Sequence, residues 1–151
     1  MAKIAAFKRV LSKHKNIGVD ASIFIYQFEQ HPQFEPLCSV IFELLTREKI
    51  FITASSLLVS EVFVQPFMKK DIETIALYEQ VFSALPQFSL IDVDYAVAKI
   101  AAQIRAEYRI LLPDALHLAC SIRSGASLFI TNDRALKKVK DIQVVCLKDY
   151  L

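Results

Sequence analysis

The chain has 151 residues, of which 54% are hydrophobic and 23% are charged, and it contains only two glycines. This composition is typical of one folded domain with a sizeable core, and it excludes an intrinsically disordered chain. Two glycines cannot build the glycine-rich loops that cradle phosphates, which excludes a dinucleotide-binding fold. The three cysteines are an odd number without metal-ligand spacing, so they predict small buried residues in a reducing compartment.

Nothing in the sequence resembles a targeting or membrane-spanning segment. The longest weakly charged run, residues 50–64, contains Glu61 and is too short to cross a bilayer. No continuous apolar segment accompanies the lysines near the N-terminus, so no secretory signal is predicted. We therefore expect a cytoplasmic protein that does not associate with a membrane.

The formal net charge of +2 is unevenly distributed along the chain. Residues 1–19 contain five basic residues and no acid, whereas the rest of the chain is mildly acidic. We interpret residues 1–15 as a basic leader, predicted to be helical, and residues 16–151 as one domain. The leader can contact nucleic-acid phosphates, or it can be a solvated helix that packs its apolar side chains inward, and the two interpretations are compatible. Its basic residues are Lys3, Lys8, Arg9, Lys13 and Lys15, and its apolar residues include Ile4, Phe7, Val10 and Leu11.

Short apolar runs alternate with helical patterns along the chain. The predicted strands are residues 16–20, 49–53, 88–91, 127–130 and 143–147. The predicted helices are residues 22–28 with Ser22 as cap, 34–47, a helix from Ser55 or Ser56 that ends before Pro66, 71–84, a helix from Asp92 or Asp94 to Tyr108, 113–124, and a brief basic helix over 134–139. This order predicts an α/β fold whose mostly parallel sheet is covered by helices on both faces.

Asp114 stands at the start of a helix that is apolar on one face. Pro113 suits the first helical position, and the helix dipole and free backbone N–H groups of the first turn favour the Asp114 carboxylate. Taken alone, Asp114 is therefore interpreted as a helix-start residue. His117, one turn later, lies between two leucines and is interpreted as a packed structural histidine.

Glu61 is the most informative acid on physical grounds. It lies on the same stripe of its predicted helix as Leu57 and Leu58, where an unpaired carboxylate costs several kcal/mol. Such a residue binds a cation, shares a proton or has a buried basic partner. Arg105, which is also predicted to face inward, is the candidate partner.

Two further acids follow predicted strands. Asp20 comes directly after the first strand, and Asp133 comes two residues after the fourth. Ligands of open α/β sheets bind outside the carboxyl ends of the strands, so both acids can meet Glu61 and Asp114 there. Carboxylates are the ligands that Mg²⁺ or Mn²⁺ prefers, and such ions activate water for displacement at phosphorus. Ser22, Thr131 and Asn132 are predicted to orient the carboxylates.

Four segments together resemble the PIN domain in their order and spacing, and they are most similar to the VapC-type toxins of toxin–antitoxin pairs. The resemblance covers roughly residues 16–148. Its most specific part is the combination of the Pro113–Ala119 motif with the later Thr131–Asp133 motif. The other two segments are residues 19–22 and 60–62.

The resemblance implies a three-layer α/β/α sandwich and a divalent-metal-dependent endoribonuclease. The acidic quartet of the family corresponds to Asp20, Glu61, Asp114 and Asp133, of which Asp20 and Asp114 are the usual metal ligands and Asp133 is a possible third. The resemblance also implies a homodimer and neutralisation by a small antitoxin. Two departures are the leader, whose function is not inherited, and Ala21, where the family often has threonine.

We therefore predict an enzyme that cleaves RNA with metal-activated water, with Glu61 orienting the water. The predicted phosphate-binding residues are the leader bases together with Arg134, Lys137, Lys138 and Lys140. The alternatives are a non-catalytic PIN-like module that binds RNA or protein, and a stand-alone RNA-processing nuclease. A haloacid-dehalogenase-type phosphatase is excluded because Ser22 occupies the position of its second aspartate.

Overall fold

A computed structural model describes residues 2–151 as a five-stranded parallel sheet with helices on both faces. The strands are β1 (Asn16–Val19), β2 (Phe51–Ser55), β3 (Phe88–Ile91), β4 (Leu128–Thr131) and β5 (Gln143–Cys146). The α-helices are α1 (Ala2–Leu11), α2 (Ala21–Phe28), α3 (Glu35–Thr46), α4 (Leu57–Met68), α5 (Ile72–Ala84), α6 (Tyr95–Tyr108) and α7 (Leu112–Arg123). Two 3₁₀ helices, Arg134–Lys138 and Leu147–Tyr150, flank β5.

The strand order is β3-β2-β1-β4-β5, so the direction in which the chain adds strands reverses between β1 and β4. These two strands pair in parallel, with Ile17, Gly18 and Val19 opposite residues 128–130. A crevice opens outside the carboxyl ends of neighbouring strands where the order reverses. The sheet therefore provides one favoured place for a ligand, between the ends of β1 and β4.

Two hydrophobic cores, one on each face of the sheet, make the fold a three-layer α/β/α sandwich. Helices α1 to α4 pack with Ile17, Ile52 and Ile130 in one core, and α5 adds partly buried side chains to it. Helices α6 and α7 pack on the other face with Phe129 and the first 3₁₀ helix. Neighbouring residues of β4 face opposite cores, which explains why the strands are continuous apolar runs. The predicted fold class is confirmed.

The first helix contributes to the core through Phe7 and Leu11, which are fully buried. Helix α1 contacts α3 and the last 3₁₀ helix, where the rings of Phe7 and Tyr150 lie 5.0 Å apart. Lys8 forms an ion pair with Glu43 of α3 at 3.5 Å. The basic side chains of α1 therefore stand on a helix that is packed onto the domain.

Two local predictions were wrong. Asp20, not Ser22, caps α2, because the extended backbone of Asp20 lets its carboxylate accept the Ser22 amide. Helix α4 continues through Pro66 to Met68 instead of ending before it. Proline within a helix loses one hydrogen bond and crowds the carbonyl four residues earlier. Pro66 lies in the last turn of α4, where both it and Phe63 are buried. Of the two alternatives for α6, Asp94 is the cap, and it accepts the Val97 amide at 2.9 Å.

All three cysteines are buried and unpaired, as predicted. No helix within residues 2–151 combines the length and the apolar character that crossing a bilayer requires.

Candidate active site

Asp20 is held at the end of β1 by three hydrogen bonds from neighbouring elements. Its Oδ1 accepts from the backbone amide of Ser22 at 3.0 Å and from the Ser22 hydroxyl. Its Oδ2 accepts from the hydroxyl of Thr131 at 2.6 Å. Thr131 is the last residue of β4 and is fully buried. The carboxylate, which directly follows β1, is therefore oriented by the first turn of α2 and by the last residue of β4.

Thr131 also connects Asp133 to Asp20. The Thr131 hydroxyl oxygen accepts the Asp133 amide at 3.1 Å while it donates to Asp20. The Asp133 carboxylate caps the following 3₁₀ helix by accepting the Ala135 amide at 2.9 Å, and the side chain is exposed. The structure thus brings together Asp20 and Asp133, as predicted, and places Thr131 between them.

Helix α7 carries Asp114 in its first turn, half-buried, as predicted. The helix approaches β1 closely at Gly18, where an added Cβ would lie 1.9 Å from the Ser121 hydroxyl oxygen and 2.5 Å from its Cβ. Only glycine permits this approach. A glycine inside an apolar strand often marks a close backbone contact, so the position of Gly18 in the sequence could have predicted this approach. The close packing of α7 on β1 was not predicted.

Glu61 pairs with His117, not with Arg105. The two oxygens of the Glu61 carboxylate lie 3.1 and 3.2 Å from Nε2 of His117, which therefore donates. His117 is 2% exposed, so its interpretation as a packed histidine describes its burial but misses its polar contact. Arg105 is exposed and donates to the carbonyl of Ile110.

Asp114 lies close enough to the other three acids for their charges to affect its pKa. Burial raises the pKa of Asp114 above its ordinary value, and the negative charges of Asp133, Asp20 and Glu61 raise it further, while His117 lowers it. Burial also raises the pKa of Asp20, against the hydrogen bonds from Ser22 and Thr131. Asp20 and Asp114 therefore resist ionisation unless a positive charge joins them.

The chemistry of these donors fits a hard divalent cation. Asp20, Asp114 and Asp133 offer carboxylate oxygens, and their mutual repulsion is what a cation would relieve. Within residues 2–151, no three His, Cys, Asp or Glu side chains are already gathered into a metal cage. Mg²⁺ does not require one, because it is usually bound by one or two carboxylates together with waters and substrate phosphates.

A small pocket, which we call the acid pocket, opens beside Asp20 and Asp133. It has a volume of about 270 Å³, and its lining residues are Asp20, Ser22, Tyr26, Thr131, Asn132, Asp133 and Lys148. Asn132 donates from Nδ2 to the hydroxyl oxygen of Tyr26 at 2.7 Å, and its Oδ1 has no partner. Tyr26 and Lys148 were not predicted, because nothing in their local sequence distinguishes them.

A larger groove of about 1090 Å³ lies elsewhere, between α4 and α5, and none of the four acids lines it. Its walls are mainly apolar, with Phe67 60% and Met68 71% exposed. Size alone would select this groove as the functional site, but the hydrogen-bonded acids lie at the sheet edge, where burial raises the pKa of Asp20 and Asp114. We therefore assign the candidate chemistry to the acid pocket and treat the groove as a separate surface.

Three of the predicted phosphate-binding residues have carboxylate partners, and one of them, Lys8 of the leader, pairs with Glu43. Arg134 and Lys137 both contact the carboxylate of Asp149, at 3.1 and 2.6 Å. Lys138 and Lys140 are exposed.

A family model described as the PIN domain matches residues 17–142. The chain belongs to the PIN domain family. The match contains all four acids and confirms the resemblance that the sequence motifs predicted. No curated protein matches this PIN domain chain significantly.

Solved structures share the PIN domain fold at low sequence identity. VapBC2 from Rickettsia felis, bound to a DNA fragment from its promoter, is 19% identical with a TM-score of 0.69, over 87% of this chain and 98% of that one. DNA-bound VapBC from Salmonella typhimurium is 20% identical with a TM-score of 0.65, over 88% and 98%. A toxin–antitoxin complex from Klebsiella pneumoniae is 20% identical with a TM-score of 0.62, over 88% and 98%. These similarities establish the fold.

Proposed function

We propose that this PIN domain chain is a divalent-metal-dependent endoribonuclease and the toxin of a toxin–antitoxin pair. The observation that carries the nuclease half is the acidic quartet near the reversal point of the sheet, where burial and the charges of Asp133, Asp20 and Glu61 raise the pKa of Asp114. A concentration of negative charge at a ligand crevice is costly for a protein that binds no cation there.

Asp20 and Asp114, with Asp133 as a third candidate, are the residues that would hold Mg²⁺ or Mn²⁺. Bound there, the cation would supply activation of water and neutralisation of charge at the phosphodiester. Thr131 and Ser22 keep the Asp20 carboxylate in one orientation, and the buried Nε2 of His117 does the same for Glu61. In this arrangement Glu61, which is one-third exposed, orients the attacking water and accepts its proton.

The toxin half of the proposal is supported by two observations. All three structural neighbours described above are toxin–antitoxin complexes. The groove between α4 and α5 exposes Phe67 and Met68, and exposed apolar surface of this kind is typical of protein-binding sites. We therefore place a small antitoxin in this groove, and we retain the predictions of a homodimer and of a cytoplasmic location.

The competing function is a PIN-like module that binds RNA or protein without cleaving it. Such a module has no need for four neighbouring carboxylates, which repel both one another and RNA phosphates. A stand-alone RNA-processing nuclease would keep the acids but would have no antitoxin. Co-purification with the product of an adjacent small gene distinguishes the proposed toxin from a stand-alone nuclease. Substitution of Met68 by Asp is expected to abolish that co-purification without loss of RNA cleavage.

The nuclease is tested with purified protein and a labelled single-stranded RNA, in the presence of Mg²⁺, Mn²⁺ or EDTA. We expect cleavage with either metal and none with EDTA. Asp114→Asn should reduce the cleavage rate by at least about a hundredfold. Asp92→Asn is the matched control, because Asp92 is exposed and does not cap α6, which is capped by Asp94. Metal-independent cleavage, or equal activity of Asp114→Asn and the control, contradicts the proposal.

A further inference from the structure

Lys148 is the one basic residue among those of residues 2–151 that line the acid pocket. It lies in the 3₁₀ helix that follows β5, next to the carboxyl edge of the sheet where Asp20 and Asp133 stand. A cation at the rim of a carboxylate pocket is usually explained as a partner of one of those carboxylates. The contacts of Lys148 do not fit that explanation.

The backbone at Lys148 is fixed by the residues around it. Leu147 is fully buried, and the ring of Tyr150 packs 5.0 Å from that of Phe7. The carbonyl of Lys148 accepts a hydrogen bond from Arg134 at 3.4 Å. The side chain of Lys148 therefore starts from a well-defined point at the pocket rim, although it is itself exposed.

The ammonium group of Lys148 forms no ion pair with a carboxylate of residues 2–151. Its neighbour Asp149 is occupied, because Arg134 and Lys137 both contact that carboxylate. Asp20 and Asp133 line the same pocket, but their contacts are with Ser22, Thr131 and a backbone amide. Lys148 is thus a positive charge at the pocket that remains available to a ligand.

We propose that Lys148 binds a phosphate oxygen of the RNA strand at the acid pocket. This inference rests on the proposed function and adds the substrate-contact residue to it. Lysine is a compact point charge that suits a phosphate oxygen without demanding a bidentate geometry. The pocket volume of about 270 Å³ equals roughly nine waters at about 30 Å³ each, so a phosphate and a hydrated cation can share it.

The same residue also explains how an acidic site can attract a polyanion. The four carboxylates repel RNA phosphates, and a fixed cation beside them lowers that repulsion at one position. None of the basic residues predicted from sequence lines the acid pocket, and Arg134 and Lys137 are in addition paired with Asp149.

The experiment measures binding of a short fluorescein-labelled polyuridine RNA to the full chain in EDTA, over a series of salt concentrations. The variants are Lys148→Gln, Lys148→Arg and Arg123→Gln. Arg123 is the matched control, because it is exposed at the end of α7 opposite to Asp114. Thermal unfolding and Mn²⁺ titration of each variant are measured in parallel.

We expect Lys148→Gln to weaken RNA binding about three- to tenfold at low salt and to make the plot of log affinity against log salt less steep by about 0.7, the loss of one phosphate contact to a single strand. Lys148→Arg should restore the slope, and Arg123→Gln should leave it unchanged. An unchanged slope in Lys148→Gln, an equal change in Arg123→Gln, or no RNA binding by the wild-type protein overturns the inference. Tighter Mn²⁺ binding with an unchanged RNA slope also overturns it, by showing that Lys148 is only a counter-ion of the acids.

The inference and the proposed function fail separately. If the wild-type protein binds RNA with the expected Lys148 dependence but does not cleave it with Mg²⁺ or Mn²⁺, the nuclease proposal fails and the phosphate contact stands. If the wild-type protein cleaves RNA with Mg²⁺ or Mn²⁺ while Lys148→Gln keeps the wild-type salt dependence, the phosphate contact fails and the nuclease proposal stands.

Discussion

The hydroxyl of Thr131 donates to the carboxylate of Asp20 across 2.6 Å, and thereby connects the ends of β4 and β1. The same oxygen accepts the amide of Asp133. One buried hydroxyl therefore sets the orientation of one acid and the backbone position of another. The first prediction depends on this double contact.

Replacing Thr131 by Val keeps the shape of the side chain but removes both hydrogen bonds. The bond from Thr131 lowers the pKa of Asp20 against the effect of burial, so its loss should raise that pKa further. Because the ionised carboxylate is the active form, the acid limb of the cleavage pH profile should move to higher pH. Thr131→Ser should keep the wild-type limb. Identical profiles for the Val and Ser variants contradict the prediction.

The contact between His117 and Glu61 predicts that the two residues act as a unit. His117→Phe removes the donor, leaving a partly buried carboxylate without its partner, at a cost of about 1–3 kcal/mol in folding free energy. We expect RNA cleavage to fall in His117→Phe and in Glu61→Ala, and to fall little further in the double variant. A double-mutant cycle on kcat/KM measures this coupling. Additive losses would show that His117 serves packing alone, and Leu116→Met on the same helix controls for repacking.

Asp114→Asn is expected to stabilise the metal-free protein at neutral pH. Burial and the neighbouring acids raise the pKa of Asp114 in the folded state, so the folded protein binds the proton more tightly than the unfolded chain does. The wild type therefore loses stability as the pH rises from about 3.9 through the raised pKa, and the Asn variant does not. Because Asp114 is partly exposed, the gain should stay below about 1 kcal/mol.

Urea unfolding at pH 3 and pH 7, in EDTA, measures this difference. The two proteins should match at pH 3, and the variant should be the more stable at pH 7. Added Mn²⁺ should reverse the order, because it stabilises the protein that binds it. A variant that is less stable than wild type at pH 7 in EDTA contradicts the prediction.

Gly18→Ala should damage both the fold and the site. The added methyl group would overlap Ser121, which stands one helical turn beyond His117 on α7. Overpacking of this kind costs about 1–3 kcal/mol, and the displaced helix carries His117 and Asp114 with it. Urea unfolding should show the loss of stability, and Mn²⁺ titration a weaker affinity. Adding Ser121→Gly to Gly18→Ala removes both clashing atoms, so the double variant should recover part of the stability and part of the Mn²⁺ affinity. If it recovers neither, the clash with Ser121 is not the cause of the losses.

Several site features were predictable from local sequence. Asp20 and Asp133 follow strands, Asp114 follows Pro113 at a helix start, and the alternation of apolar runs with helical patterns specifies a parallel sheet. Because the carboxyl ends of parallel strands meet at one edge, these three acids could be assigned to a common region before any pairing was known.

The partners of the side chains could not be predicted in the same way. Glu61 was given Arg105 as a candidate because both were expected to face inward, but the packing of α4 on α7 selects His117. Asp20, not Ser22, is the cap of α2 because the extended backbone at Asp20 lets its carboxylate accept the Ser22 amide, which places Ser22 inside the helix. Lys148 has no local pattern at all, and it was identified only by its place at the pocket rim.

By itself, the sequence determined the α/β class and the order of the strands and helices, since hydrophobic periodicity and helix capping act between residues that are near in the chain. It also supplied the four candidate acids. Only the tertiary structure decided which strands are neighbours, how closely α7 approaches Gly18, and which polar groups meet Asp20, Glu61 and Asp133. These contacts join residues far apart in the chain. Their geometry depends on how whole helices and strands pack, which no short stretch of sequence specifies.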